Sequence, residues 1–361
     1  MNWYPLKLTT PVRNHVFGGR RIQEQLGKEN LQPRDTAETW EVSDVEGSGA
    51  AVKNGPLAGQ TLHDLTSAHP DEVVGPGWRG PHFPLLTKFI DGSGMLPVHL
   101  HANDGAARQM EGQPNGKTEA WHILWAAPDA TILVGVRDGV TREELRSALL
   151  DQDYDRVMAR LPIRAGDTVY VPGGVLHSFG PDTLIYEIEQ TSNIQQHAMP
   201  WMMENGQPID RQTQEQNIDA LIRELRVGYA PQPQAGLKVQ EGANTRLFCC
   251  AGPYFALERW TLNEPYRHTF RGALILSNLG EPVEVRFRGG VETLGRAESM
   301  LLPAALGEVE LSAPGEVLAG YLPDLERDVR APLKAAGYSD EQIAALGDVS
   351  AQAVSLPAFA S

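Results

Sequence analysis

Between residues 36 and 135 the chain is cut into short apolar runs, TWEVSDV, FPLLTKFI, LPVHLHA, EAWHILW and TILVGV among them, by clusters of Gly, Pro, Asn and Asp. Each run suits one strand and each cluster a tight turn, and many short strands with punctuated turns form a sandwich or a barrel. The segments GDTVYVPGGVLHSFG and TLIYEIEQTS carry the pattern on to residue 192. After a Pro- and Gly-rich linker at residues 228–236, GYAPQPQAG, it returns in YFALERWTL, GALILSNL, VEVRFRG, SMLLP and GEVLAGYL.

Two stretches break this rhythm with helical spacing: TREELRSALLDQDYDRVMARL at residues 141–161, behind a Thr that can cap, and TQEQNIDALIREL at 213–225. A third, LKAAGYSDEQIAALG, reads as a helical pair with Ser339 and Gln342 at capping-box spacing. A chain of 361 residues exceeds what one hydrophobic core serves. The expectation is a mainly β protein of two barrels: residues 1–230 with helical insertions at about 141–161 and 213–225, residues 237–323, and a helical tail over 324–361. RAGDTVYVP at 164–172 is faintly echoed by RAESMLLP at 296–303. The last histidine is His268, so a histidine-rich site belongs to the first unit.

A net charge of −15 disfavours a nucleic-acid or anionic-membrane surface, which needs clustered Lys and Arg. The only cysteines, Cys249 and Cys250, are adjacent and unsuited to an ordinary disulfide, which fits a reducing cytoplasm. No stretch approaches 18 continuous apolar residues, and the start lacks a basic region followed by an apolar run.

Chemistry concentrates in LPVHLHAND. In a strand, His99 and His101 point to the same face with Cα atoms roughly 7 Å apart, close enough to converge on one ion. Taken alone, such a pair is more often a hydrogen-bonded core feature. Glu119 follows the turn-like GQPNGKT, and a hairpin there would bring its carboxylate beside the pair. Gly166, Pro172 and Gly174 shape the turn before His177. GQPNGKT has three residues between its glycines where a phosphate-binding P-loop needs four, so a nucleotide site is not indicated. On an alternating strand His122 faces away from Glu119, and His15, His63, His69 and His82 sit in turn-like contexts; all five are read as structural.

These motifs resemble the cupin superfamily, whose metal sites take an HxH pair and a glutamate from one motif and a histidine from a second. Within it, YPLKLTTPV, FGGRRI, AETWEVSD, FPLLTKFIDGSGMLPVHLH, GKTEAWHIL, AGDTVYVPGGVLHSFG and YEIEQTS look like the successive motifs of type I mannose-6-phosphate isomerases, in order from residue 4 to about 201. The resemblance implies two cupin-type jelly-roll barrels, the second without metal ligands. It implies His99, His101, Glu119 and His177 as ligands of one divalent ion, with zinc expected, and a small sugar or sugar phosphate as substrate. By the same resemblance Lys117 and Glu187 are catalytic candidates and Lys88 a substrate-binding one. The implied reaction is an aldose–ketose interconversion, in which polarised substrate oxygens acidify the adjacent C–H and a base moves the proton.

The pattern is broken in one place. Ten residues after the glutamate the family carries an arginine, within a stretch resembling SDxxxR; here it reads SNIQQH, with Asn193 and His197. A guanidinium is a permanent forked partner for phosphate, whereas an imidazole is smaller and usually neutral at pH 7. His197 is kept as an acid–base candidate. Pro97 and Ala102 replace the family's Ser before the histidine pair and Pro after it. Two other readings stay open on sequence: an iron or manganese cupin oxygenase, since the ligand set does not choose the metal, and a catalytically silent sugar-phosphate binder. The exact sugar and the oligomeric state stay open as well.

Overall fold

The structure, a computed structural model, describes residues 1–349. Its strands form four antiparallel sheets. One has six strands in the order Val12–Arg13, Glu38–Val42, Leu85–Gly92, Thr183–Gln190, Glu119–Ala126, Thr168–Val171. Facing it is a sheet of five, Gln196–His197, His99–Leu100, His177–Phe179, Thr131–Val136, Met158–Pro162. These two sheets make the first barrel, with Ile90, Trp121, Ile123, Ile132, Val134, Phe179 and Ile185 buried between them. The second barrel pairs a seven-stranded sheet with one of four strands around Trp260, Leu276, Val285, Met300 and Val317.

The two-residue period of a strand decides what each face of the six-stranded sheet does. Along Thr183–Gln190, Leu184, Tyr186 and Ile188 point away from the first barrel and pack on Cys249, Cys250, Leu257, Ile275, Leu301 and Leu318. Alternating with them, Glu187 and Glu189 point inward. Apolar residues on one face thus weld the barrels together, while the other face holds charge. Tyr186 places its hydroxyl 2.9 Å from Ser277 Oγ across that seam.

The chain's first strand, Leu6–Lys7, does not join the first barrel. It pairs with Leu301 and Met300 at the edge of the seven-stranded sheet. Helices Arg142–Leu150 and Arg211–Glu224 pack together outside the five-stranded sheet, burying Leu145, Leu149, Ile218 and Leu221 against Leu100, Leu133 and Leu176. Thr141 and Glu144 form a capping box at the first helix, and Arg146 pairs with Asp219 on the second.

The expected helix over 141–161 is corrected here. It ends at Leu150, a single turn follows at Tyr154–Val157, and Met158–Pro162 is a strand pairing with Thr131–Val136. An edge of the five-stranded sheet needed a partner, and tertiary pairing outweighs local propensity. The tail's capping box at Ser339 and Gln342 is formed, and Leu325, Val329, Leu333 and Ile343 pack on Phe248, Ala251 and Ala256. Residues 350–361 of the expected tail lie outside the described residues. No helix among the described residues is long and apolar enough to cross a membrane.

Candidate metal centre

His99, His101 and His177 lie with one ring nitrogen each inside a single cluster, all buried. Only the first histidine of the pair lies in a strand, His99–Leu100, with His101 just beyond its end; that strand runs antiparallel beside His177–Phe179 with His177 opposite His99. Glu119 comes from the facing sheet. The expected hairpin between the histidine pair and Glu119 is therefore not formed: the connection turns through Asp104–Ala106 and Ala107–Glu111 and crosses from one sheet to the other. Crossing the barrel mouth lets ligands approach from two sides, which a hairpin within one sheet cannot do. Gly116 permits the crossing, because a Cβ there would stand 2.4 Å from the Ala102 carbonyl oxygen.

Hydrogen bonds fix how each ring presents itself. His99 Nδ1 lies 2.7 Å from the Pro97 oxygen, His177 Nδ1 2.8 Å from that of Val175, and His101 Nδ1 2.7 Å from that of Ile194. A carbonyl can only accept, so each Nδ1 carries the proton and each Nε2 presents a lone pair. Those lone pairs converge. His99 and His177 Nε2 are 3.1 Å apart, His177 Nε2 is 3.1 Å from Glu119 Oε1, and His101 Nε2 is 3.0 Å from Glu119 Oε2. Lys117 Nζ, 3.1 Å from both His101 Nε2 and Glu119 Oε2, bridges the last pair, whereas the lone pairs of His99 and His177 and Glu119 Oε1 face one another and repel unless a cation lies among them. Burial and the neighbouring Lys117 push His101 down to about 3, and burial with the other imidazoles holds His99 well below the usual histidine range. Protonation of His99 or His101 is thus not the remedy, and the donor set fits a divalent metal.

Behind the imidazoles is a buried network of charge. Lys117 Nζ is 2.7 Å from Glu189 and 3.1 Å from Glu119, while Lys88 Nζ is 2.8 Å from Glu187, 2.9 Å from Glu189 and 4.0 Å from Glu38. Trp121 Nε1 donates to both Glu119 and Glu187, and Trp40 Nε1 donates to Glu38. Burial works against both ammonium groups, yet the surrounding carboxylates raise Lys117 and raise Lys88 well above the ordinary lysine value. Burial would also lift Glu119, but Lys117, His101 and His177 hold it well below the usual carboxylate range.

Four carboxylates here face two ammonium groups, a formal −2 when all are ionised. The surplus shows at Glu189, which burial and the adjacent Glu187 push well above the carboxylate range. A divalent ion among the imidazoles would supply the two missing positive charges. Uncompensated buried charge is too costly for such a cluster to be a neutral packing feature.

The geometry gathers all eight residues singled out from sequence. His99, His101, Glu119 and His177 form the convergent set, with Lys117 touching two of them. Lys88 and Glu187 are paired with each other in the network behind. His197 lies opposite His99 in the neighbouring strand, its ring stacked at 5.9 Å, half-buried and without a hydrogen bond or ion pair among the described residues. Burial lowers it to about 4, so it is neutral at pH 7.

Sequence reasoning missed Glu38, Glu189, Trp40 and Trp121. Glu189 was within reach, since it alternates with Glu187 on one strand. Glu38 and Trp40 share a Glu-x-Trp signature with Glu119 and Trp121, a second usable signal. His15, read as a turn residue, stands 4.0 Å from Glu38. His122 does face away, with Nδ1 2.9 Å from Thr168 Oγ1.

No protein-family model matches the chain. Among curated proteins it is 28% identical over 320 residues to the mannose-6-phosphate isomerase of Streptococcus mutans, covering 88% of this chain and 98% of that one. It is 27% identical over 326 residues to mannose-6-phosphate isomerase ManA of Bacillus subtilis, covering 89% and 100%. In three dimensions it resembles the crystal structure of mannose 6-phosphate isomerase from Bacillus subtilis, with a TM-score of 0.79 at 24% identity over 88% of this chain and all of that one. The apo enzyme from Salmonella typhimurium matches with a TM-score of 0.65 at 16% identity, over 88% and 99%. The fold expected from the sequence is the fold these structures share.

Proposed function

We propose that this chain, related in sequence and fold to mannose-6-phosphate isomerases, is a metal-dependent aldose–ketose isomerase that interconverts mannose 6-phosphate and fructose 6-phosphate. The observation that carries this reading is the convergence of three imidazole lone pairs and Glu119 beside a lysine whose ammonium is kept charged in a buried site. His99, His101, Glu119 and His177 would hold the ion, zinc in this reading. Bound there, it would supply Lewis acidity toward the sugar's carbonyl and hydroxyl oxygens.

The chain's own residues divide the remaining tasks. Isomerisation moves a proton between neighbouring carbons while negative charge builds on the adjoining oxygens, so the site needs fixed positive charge and a proton acceptor. Lys117 provides the charge, preorganised by Glu189 and Glu119 so that no reorientation is needed as the oxyanion develops. Glu187 has both oxygens engaged, by Trp121 and Lys88, which suits holding the network in place. Lys88, enclosed by carboxylates, extends that hold to Glu38 and Glu189. His197 is neutral and unencumbered at the rim, so its ring nitrogen is the group free to take and return the proton. Its position opposite His99 also places it where a substrate bound over the imidazoles would reach.

The test is a coupled assay of fructose 6-phosphate formed from mannose 6-phosphate by metal-loaded protein. Turnover is expected, with a loss of about 100-fold or more in Lys117→Ala at unchanged metal content. Protein that binds metal stoichiometrically yet turns over neither sugar phosphate would overturn the assignment.

A further inference from the structure

The second barrel contains no group able to hold a metal ion among the described residues, yet its interior is not apolar. Glu258 is fully buried and accepts both Nε and Nη2 of Arg246 at 2.7 Å, Trp260 Nε1 at 2.7 Å and the Tyr321 hydroxyl. Arg246 Nη1 donates to Glu241 at 2.9 Å, and its guanidinium lies 5.0 Å from the Phe248 ring. The Glu-x-Trp arrangement of the first barrel is thus repeated, with an arginine in place of convergent imidazoles. Burying an ion pair is expensive, and a barrel with packing as its only task is better served by apolar side chains.

Beside Arg246 opens a cavity of about 430 Å³, within the range of small-molecule sites. Three arginines line it, of which Arg246 is paired with Glu258 and Glu241 and Arg327 with Asp328 and Asp324, so Arg271 brings the uncompensated charge. Three of the five N–H groups of Arg246 are used, leaving two. Arg271 makes no ion pair or side-chain hydrogen bond among the described residues, and Arg327 is turned toward Asp328. One wall is aromatic: His268 and Phe270 stack at 6.4 Å with planes 16° apart, and His268 sits 4.7 Å from Trp260. The tail closes the far side through Arg327, Asp328 and Pro332.

We infer that this cavity binds a phosphorylated small molecule of hexose size, its anionic group met by Arg271 and the free edge of Arg246 and its ring lying on His268 and Phe270. Guanidinium groups are the usual partners of phosphate, and a flat ring offers a sugar its apolar face. This site is independent of the isomerase reading.

The test uses the full chain with the first barrel silenced by His99→Ala and His101→Ala, titrated with mannose 6-phosphate by calorimetry. One binding event is expected to remain, displaced by inorganic phosphate and at least about tenfold weaker for unphosphorylated mannose. Adding Arg271→Glu, on an exposed side chain, is expected to weaken it about tenfold or more, and His268→Ala to weaken it separately, with thermal unfolding showing that both variants fold. A silenced protein that binds no mannose 6-phosphate, or binds it with an affinity that Arg271→Glu leaves unchanged, would overturn the inference. Neither result bears on turnover at the first barrel, which the coupled assay reads.

Discussion

His99 and His177 bring their Nε2 atoms within 3.1 Å of each other while both Nδ1 atoms are committed to backbone carbonyls two residues earlier in the chain. The sequence reaches this arrangement twice, once at Pro97 and once at Val175, from two strands that pair in register. A carbonyl at the second residue back fixes the tautomer, and the pairing aims the free lone pairs at one point. A cation bound there would relieve the resulting repulsion, which would give metal binding a direct link to stability.

Removing the metal by dialysis against a chelator is therefore expected to abolish turnover and lower the melting temperature. Restoring a divalent ion at a hundredfold excess over its Kd should return about 2.7 kcal/mol. His99→Ala should remove both responses. Differential scanning calorimetry with and without the ion makes the comparison, and an identical melting temperature in the two states would contradict the ligand assignment.

Glu189 holds Lys88 and Lys117 at 2.9 and 2.7 Å with one oxygen each and is wholly buried. Glu189→Gln keeps the shape but holds the position neutral, so it cannot ionise to balance a divalent ion bound among the imidazoles. The expected results are a metal Kd raised by about tenfold or more, as unit charges at this spacing interact strongly in a low dielectric, and a lower kcat with ion saturating. Glu189→Ala, which leaves two buried ammonium groups short of a partner, is expected to cost about 3–5 kcal/mol in denaturant unfolding.

At His197 the chain has an imidazole where the motif it resembles implies an arginine. His197→Arg installs a permanent charge at the rim and removes the ring nitrogen assigned the proton transfer, so the KM for mannose 6-phosphate should fall about tenfold while kcat drops by about 100-fold. With unphosphorylated mannose the KM should stay where it was. A matched fall for both sugars would show that the residue contacts the ring and not the phosphate. Metal content, measured alongside, should equal that of the parent.

His122 carries a stability signature of its own. Burial lowers it to about 3 in the folded chain, from 6.5 in the unfolded one, so the unfolded state binds the extra proton first. Its contribution is fully present above pH 6.5 and is lost as pH falls toward 3, at about 1.4 kcal/mol per pH unit between those limits. His268, lowered to about 4 by burial, acts in the same direction. In urea titrations between pH 7 and 5, His122→Leu should flatten the decline measured for the parent. An unchanged slope would place the acid sensitivity elsewhere.

Much of the centre was legible because strands have a period of two. Counting by twos pairs His99 with His101 and Lys117 with Glu119, and both pairs do meet although His101 and Lys117 lie just outside the strands of their partners, while the glycines and proline before His177 mark its turn. What counting cannot deliver is which strand lies opposite. Glu38 reaches Lys88 only because Glu38–Val42 happens to pair with Leu85–Gly92. The hairpin expected before Glu119 failed for the same reason: turn residues show that the chain bends, and the choice between re-entering one sheet and crossing to the other rests on long-range packing. The helix expected to reach residue 161 stops at Leu150 because the sheet edge claims Met158–Pro162. The helical face 211–224 needed no such partner to be read, since its apolar spacing is local.

The pairing of Leu6 and Lys7 with Leu301 and Met300 ties one short strand to a place nearly three hundred residues later. During synthesis this segment is made long before its neighbour, so the finished molecule is fastened like a belt whose buckle and tongue lie far apart along the strap. Cutting the chain near residue 236 would leave each fragment with one half of that fastening, and the fragments should recover their shape only when mixed.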